Sequence, residues 1–134
     1  MSEKIVNKNG EVIANLIHDE DWHKGLQFFS DDSDFIQVGT WNYDEGKELQ
    51  SHIHNEVERT IKRTQEVIYV KRGSIQANIF GLDGKFISSS TVKAGDTLIL
   101  LDCGHGYTIL EDGTQVLEVK NGPYLGAEID RVRI

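Results

Sequence analysis

Turn signals divide this chain into short pieces, and their spacing limits what it can fold into. Glycines in turn-forming contexts stand at Asn9-Gly10, Asp44-Glu45-Gly46, Gly73, Asp83-Gly84, Gly95-Asp96, Gly104, Asp112-Gly113 and Asn121-Gly122, from Gly73 onward about every ten residues. Pieces that short leave no room for a long helix, and the stretches between them are rich in β-branched and aromatic residues. The pattern predicts a hairpin over Ile5 to Ile17, a short strand at Leu26 to Ser30 and a strand over Phe35 to Tyr43. It then predicts Glu66 to Arg72 and Ser74 to Phe80 joined tightly at Gly73, followed by Phe86 to Val92, Thr97 to Leu101, Gly106 to Leu110 and Gln115 to Lys120. Asn55 to Thr64 is charged, with Glu56/Arg59 and Glu58/Lys62 at helix-like spacings, and reads as a loop or one helical turn. The expected fold class is all-β, an antiparallel sandwich or barrel.

A chain of 134 residues fits one domain, here 1–134, with N-terminal strands over 1–34, a core over 35–120 and a C-terminal segment over 121–134. Its net charge of −8 argues against nucleic acid and anionic membrane surfaces as partners, because both attract clustered Lys and Arg. The polar start, Met1 to Gly10, and the absence of any apolar run near the roughly 20 residues that cross a bilayer lead to the expectation of a cytoplasmic protein without a membrane partner. Cys103 is the only cysteine, which excludes an intrachain disulfide and agrees with a reducing compartment.

Chemistry is concentrated in few residues. The histidines are His18, His23, His52, His54 and His105. His52 and His54 are one residue apart, so on a strand both imidazoles point to one face, where a metal could take both; the same spacing also occurs by chance on exposed strands. Glu66 opens the β-branched run that ends at Gly73, with Ile68 and Val70 on its face, whereas Gln65 points the other way. His18 and His23 lie in an acidic, unpatterned stretch and are expected at the surface. Cys103 reads as a small buried hydrophobe, or as a soft ligand or nucleophile beside His105. Arg59, Lys62 and Arg63 could hold a substrate carboxylate or phosphate, or form a solvated charge run with Glu56 and Glu58. Trp41 and Tyr43 could stack on a ring or belong to the core.

Two stretches carry a resemblance to a known family. Gly46, His52-Ile53-His54, Glu66 and Gly73 resemble the first motif of the cupin superfamily, with the register from Gly46 to His52 and from Glu66 to Gly73 kept and a longer interval, Asn55 to Gln65, between His54 and Glu66. Gly95-Asp96 and Leu101-Asp102-Cys103-Gly104-His105 resemble the second motif, without its proline and about one residue shorter. The resemblance implies a cupin jelly-roll barrel, an antiparallel double-stranded β-helix, with one divalent transition metal (Mn, Fe, Ni, Cu or Zn) held by His52, His54, Glu66 and His105. Imidazole and carboxylate donors suit any of these ions, so ligand type does not select one. Tyr107 would share the face of His105 and is a candidate for assisting proton transfer; Arg59, Arg63 and Tyr107 are the candidate substrate contacts.

The C-terminal stretch around Tyr124, Glu128, Asp130 and Arg131, with Arg63-Thr64-Gln65 and Gly73-Ser74-Ile75, is also similar to small cupins of carbohydrate biosynthesis, including sugar-nucleotide 3,4-ketoisomerases. Three functions follow as expectations. One is a metal-binding protein, forming a homodimer, that acts on a small polar metabolite such as a sugar or sugar-nucleotide derivative, with the metal as Lewis acid. The others are a non-catalytic binding module and a metal-free isomerase using His52 or His54 as acid/base.

Overall fold

In the computed structural model, which describes residues 1–134, the β-rich pieces become ten strands. They are β1 (Glu3–Val6), β2 (Val12–Ile17), β3 (Gly25–Phe28), β4 (Gly39–Asn42), β5 (Glu66–Arg72), β6 (Ser74–Phe80), β7 (Phe86–Lys93), β8 (Thr97–Leu100), β9 (Gly104–Ile109) and β10 (Gln115–Lys120). A 3-10 turn at Asp19–Asp21 and one short helix, α1 (Ala127–Asp130), complete the regular structure. The fold is all-β and every strand pair is antiparallel. No helix is long and apolar enough to cross a membrane.

Two sheets enclose the main core. The first has the order β1-β2-β8-β5-β10 and the second β7-β6-β9, while β3 and β4 form a separate hairpin. The sheets do not close into a barrel: β9 and β10 each have one unpaired edge. Register decides what the inner face carries. Paired residues in an antiparallel ladder share a face, so one row across the first sheet reads Ile5, Ala14, Leu100, Glu66, Lys120. The next reads Leu16, Leu98, Ile68, Glu118. The first row turns charged at β5 and stays so at β10, whereas the second is apolar from Leu16 to Ile68 and charged at its two ends, Glu118 on β10 and Glu3 on β1. Opposite them, Ile75, Ala77 and Ile79 of β6 are buried, and their neighbours on β9 are Ile109, Tyr107 and His105. The eleven-residue core cluster lies between β2, β8 and β5 of the first sheet and β6 and β7 of the second, with Ile5 of β1 packed against it, and the β10–β9 side stays polar and open.

The outer face of the first sheet is covered differently. Ile17, Ile99 and Leu101 form a second small cluster under Phe29, Ile36 and Val38. This cover explains a difference from the sequence expectation. A strand over Phe35 to Tyr43 is expected, but only Gly39–Asn42 is strand. The N–H groups of Phe35 and Ile36 donate to Gln65 Oε1 at 2.8 and 3.0 Å, and Val38 N–H donates to Ser30 Oγ at 2.9 Å. Side chains thus satisfy the donors that a neighbouring strand would otherwise pair.

At Gly73 the β5–β6 turn needs φ of +77°, and a Cβ there would lie 2.2 Å from Thr114 Oγ1, so only glycine fits. The Gly95-Asp96 opening of the second motif is structural too. Buried Asp96 accepts hydrogen bonds from the N–H groups of Lys93 and Asp19, tying the β7–β8 turn to the 3-10 turn. His18 is half-buried instead of lying free on the surface, because its ring bridges Asp96 and Glu3.

Candidate functional site

Glu66 is the first residue of β5 and one of few charged side chains that are buried, at 4% exposure. It faces inward with Ile68 and Val70, as the alternation predicts. His105 and Tyr107 share the inner face of β9. His105 Nε2 lies 3.3 Å from Glu66 Oε2, and the Tyr107 hydroxyl donates to Glu66 Oε1 at 3.3 Å. The two rings lie beside each other with centroids 5.4 Å apart. Glu66 thus has one oxygen toward each ring, at the point where the apolar row ends and the open side begins.

Electrostatics fixes the states of two members. Burial alone would push the Glu66 carboxyl up, but hydrogen bonding and charge from His105, the Lys120 ammonium and the Tyr107 hydroxyl together hold it below its ordinary value of 4.5. Burial and the adjacent carboxylate push the Tyr107 phenol well above its ordinary range, so it remains a donor. The ionised Glu66 therefore stabilises the fold above pH 4.5, and that contribution is lost as pH falls through the lowered folded value. Denaturant midpoints measured from pH 7 down to pH 3 are expected to fall more steeply below pH 4.5 in the wild type than in Glu66→Gln. Parallel curves would show that Glu66 is not ionised in the cluster.

Charged neighbours extend the site. Lys120 is the cross-strand partner of Glu66, and its Nζ is 2.6 Å from Glu118 Oε1. Arg63 Nε lies 3.2 Å from Asp102 Oδ1 in an accessible ion pair. Cys103 packs against the core, and burial pushes its thiol up to about 12; it is the small hydrophobe, not an activated nucleophile. Asn121 receives the Gln65 N–H on its Oδ1 and donates from Nδ2 to the Arg63 carbonyl, and Thr64 hydrogen-bonds Asp130. These contacts tie the chain entering β5 to the C-terminal segment.

His52 and His54 lie elsewhere. They are on an exposed segment, 43–63, that joins no sheet, not on a strand beside Glu66. Their rings are edge to face with centroids 4.9 Å apart, and the hydrogen bond of this pair is local, His52 Nδ1 to the Gln50 carbonyl at 3.1 Å. Arg59 likewise bonds only the nearby Val57 carbonyl. Asn55 to Thr64 forms neither a helical turn nor a ladder. Of the four residues expected to hold a metal, two meet and two do not. No group of three or more His, Cys, Asp or Glu side chains is arranged to hold an ion, so the donor set in this arrangement does not fit the metal that the resemblance implies.

Glu118 and Lys120 are missed in the sequence because alternating polar residues on a final strand read as its solvent face. Only their register with Glu66 and Ile68 reveals that they line the inner side. A cleft of about 1060 Å³, lined by Asn15, Phe29, Asp31, Asp34 and Asp102 among others, contains no histidine; its titratable side chains are the carboxylates and Lys4, and burial together with Asp31 and Asp102 pushes the Asp34 carboxyl up. Comparison with protein families, curated proteins and solved structures finds no match to this chain.

Proposed function

We propose that the open side between β10 and β9 binds a small polar metabolite and that His105 moves a proton on it. The contact between His105 Nε2 and Glu66 Oε2 carries this reading. With Nε2 turned to a buried carboxylate, Nδ1 is the ring atom left to exchange a proton with a ligand, and the carboxylate stabilises the imidazolium that forms. The reaction this supports is removal of a proton from a hydroxyl-bearing carbon next to a carbonyl, with the C–H electron pair forming the C=C bond of an enediolate and the carbonyl pair moving onto its oxygen; the hydroxyl proton then passes to that oxygen as the new carbonyl forms, and the carbon-bound proton returns to the former carbonyl carbon. That is an isomerase-type step without oxidant or reductant. The C-terminal resemblance favours a sugar or sugar-nucleotide derivative as substrate, and the acid/base is His105 instead of His52 or His54. Incubation with a panel of sugar nucleotides and keto acids in D₂O, followed by mass spectrometry, is expected to show deuterium entering one member of the panel. No exchange with any member would remove the catalytic reading.

A second reading keeps the cupin-like jelly roll and its metal. The observation favouring it is that 43–63 is exposed and unpaired while β9 has a free edge. Pairing of the His52–His54 stretch with that edge would extend the β7-β6-β9 sheet and bring both imidazoles toward Glu66 and His105. Under this reading, tag-free protein takes up about one equivalent of Mn, Fe, Ni or Zn, and His52→Ala with His54→Ala abolishes the uptake. Metal content well below one equivalent in the wild type, or full content in the double variant, would rule it out.

A further inference from the structure

We propose that Lys120 is the anion-binding residue of the site and that Glu118 occupies it when no ligand is bound. The inference rests on the location of the site proposed above, and it adds the chemical class of the ligand: a molecule carrying a carboxylate or phosphate group. Three observations carry it.

Lys120 and Glu66 are directly opposed in the β5–β10 ladder, so their Cβ atoms sit about 5 Å apart on the same face. The lysine stem thus starts beside the His105–Glu66 contact. Glu66 is already engaged by His105 and Tyr107, and the lysine pairs with Glu118, two residues before it on the same strand. Their contact of 2.6 Å is that of a carboxylate held on an ammonium, and both side chains remain accessible, 34% for Lys120 and 48% for Glu118. An incoming carboxylate or phosphate can therefore replace Glu118 without opening the core.

The local charge supports the same ligand class. The chain as a whole carries −8, yet Arg131 lies near enough to Lys120 for the two like charges to oppose each other, which gathers cations at this end of β10. Arg63 is paired with Asp102 and lies outside the β5–β10 ladder. What sets Lys120 apart is its position directly opposite Glu66 in the ladder, together with an accessible partner it can exchange.

Exchange of partners makes opposite predictions for two neighbouring residues, which a purely structural ion pair would not. Titrations of the full chain with inorganic phosphate and, separately, malonate are followed by NMR at the backbone amides of 66 and 118–120. Glu118→Gln removes the internal competitor and is expected to tighten binding about two- to fivefold, the size of an accessible ion pair. Lys120→Gln is expected to abolish binding, and Lys120→Arg to restore it. The arm giving the tighter wild-type binding identifies the anion as phosphate or carboxylate. Because every residue of β10 is exposed, these polar exchanges leave the core intact. Unchanged or weaker binding in Glu118→Gln, or wild-type affinity in Lys120→Gln, would overturn the proposal. Opposite shifts in the two variants without proton exchange on any substrate would leave the anion site standing and remove the catalytic reading.

Discussion

His105→Gln is expected to slow deuterium exchange into the substrate roughly 10²–10⁴-fold, the contribution typical of a positioned acid/base group. Gln keeps a polar side chain near Glu66 but has no group that gains and loses a proton near neutral pH. The variant is therefore expected to retain ligand binding while losing the proton-transfer step, which appears as a fall in kcat larger than any change in KM. Glu66→Gln removes the charge that stabilises the imidazolium and is expected to slow exchange in the same direction. Tyr107→Phe, which deletes one donor to Glu66, is expected to have the smaller effect of the three. Full activity in His105→Gln would place the chemistry elsewhere.

Leu98→Ala is expected to destabilise the fold by about 2–5 kcal/mol, the range for deleting most of a buried leucine. Leu98 is fully buried, and its row joins Leu16 on β2 to Ile68 on β5, so the cavity would open at the centre of the five-stranded sheet. Paired strands on both sides prevent the backbone from collapsing into the space. Against a total stability of about 5–15 kcal/mol for a domain of this kind, such a loss is a large fraction. Denaturant unfolding measures it as a lowered midpoint. A shift below about 1 kcal/mol would mean that the space between β2, β8 and β5 and the facing β6 is not the packed core. The same substitution at exposed Leu117 on β10 is expected to cost much less, because that side chain is 59% accessible.

Local patterns in the sequence are sufficient for most strands and for half of the site. The β5–β6 hairpin is legible because Gly73 is flanked by two dense β-branched runs, and the inward direction of Glu66 follows from alternation with Ile68 and Val70. The shared face of His105 and Tyr107 follows from the same rule. Three features are not legible for a common reason: each depends on which other part of the chain does or does not pair with it. Phe35 to Val38 has strand composition, but Gln65 and Ser30 take its N–H groups. His52 and His54 have the spacing of a shared strand face, yet a strand requires a neighbour, and segment 43–63 has none here. Glu118 and Lys120 have the alternation of a solvent face, and only the ladder with β5 turns that face toward Glu66.

The location of the site is tested most directly by titrating ¹⁵N-labelled protein with the panel of sugar nucleotides and keto acids and mapping the amide shifts. Ligand binding at the open β10–β9 side predicts shifts centred on Glu66, His105, Tyr107 and the Glu118 to Lys120 stretch. Shifts centred on Asn15, Asp31 and Asp34 around the other cleft, with none at Glu66 or His105, would contradict it.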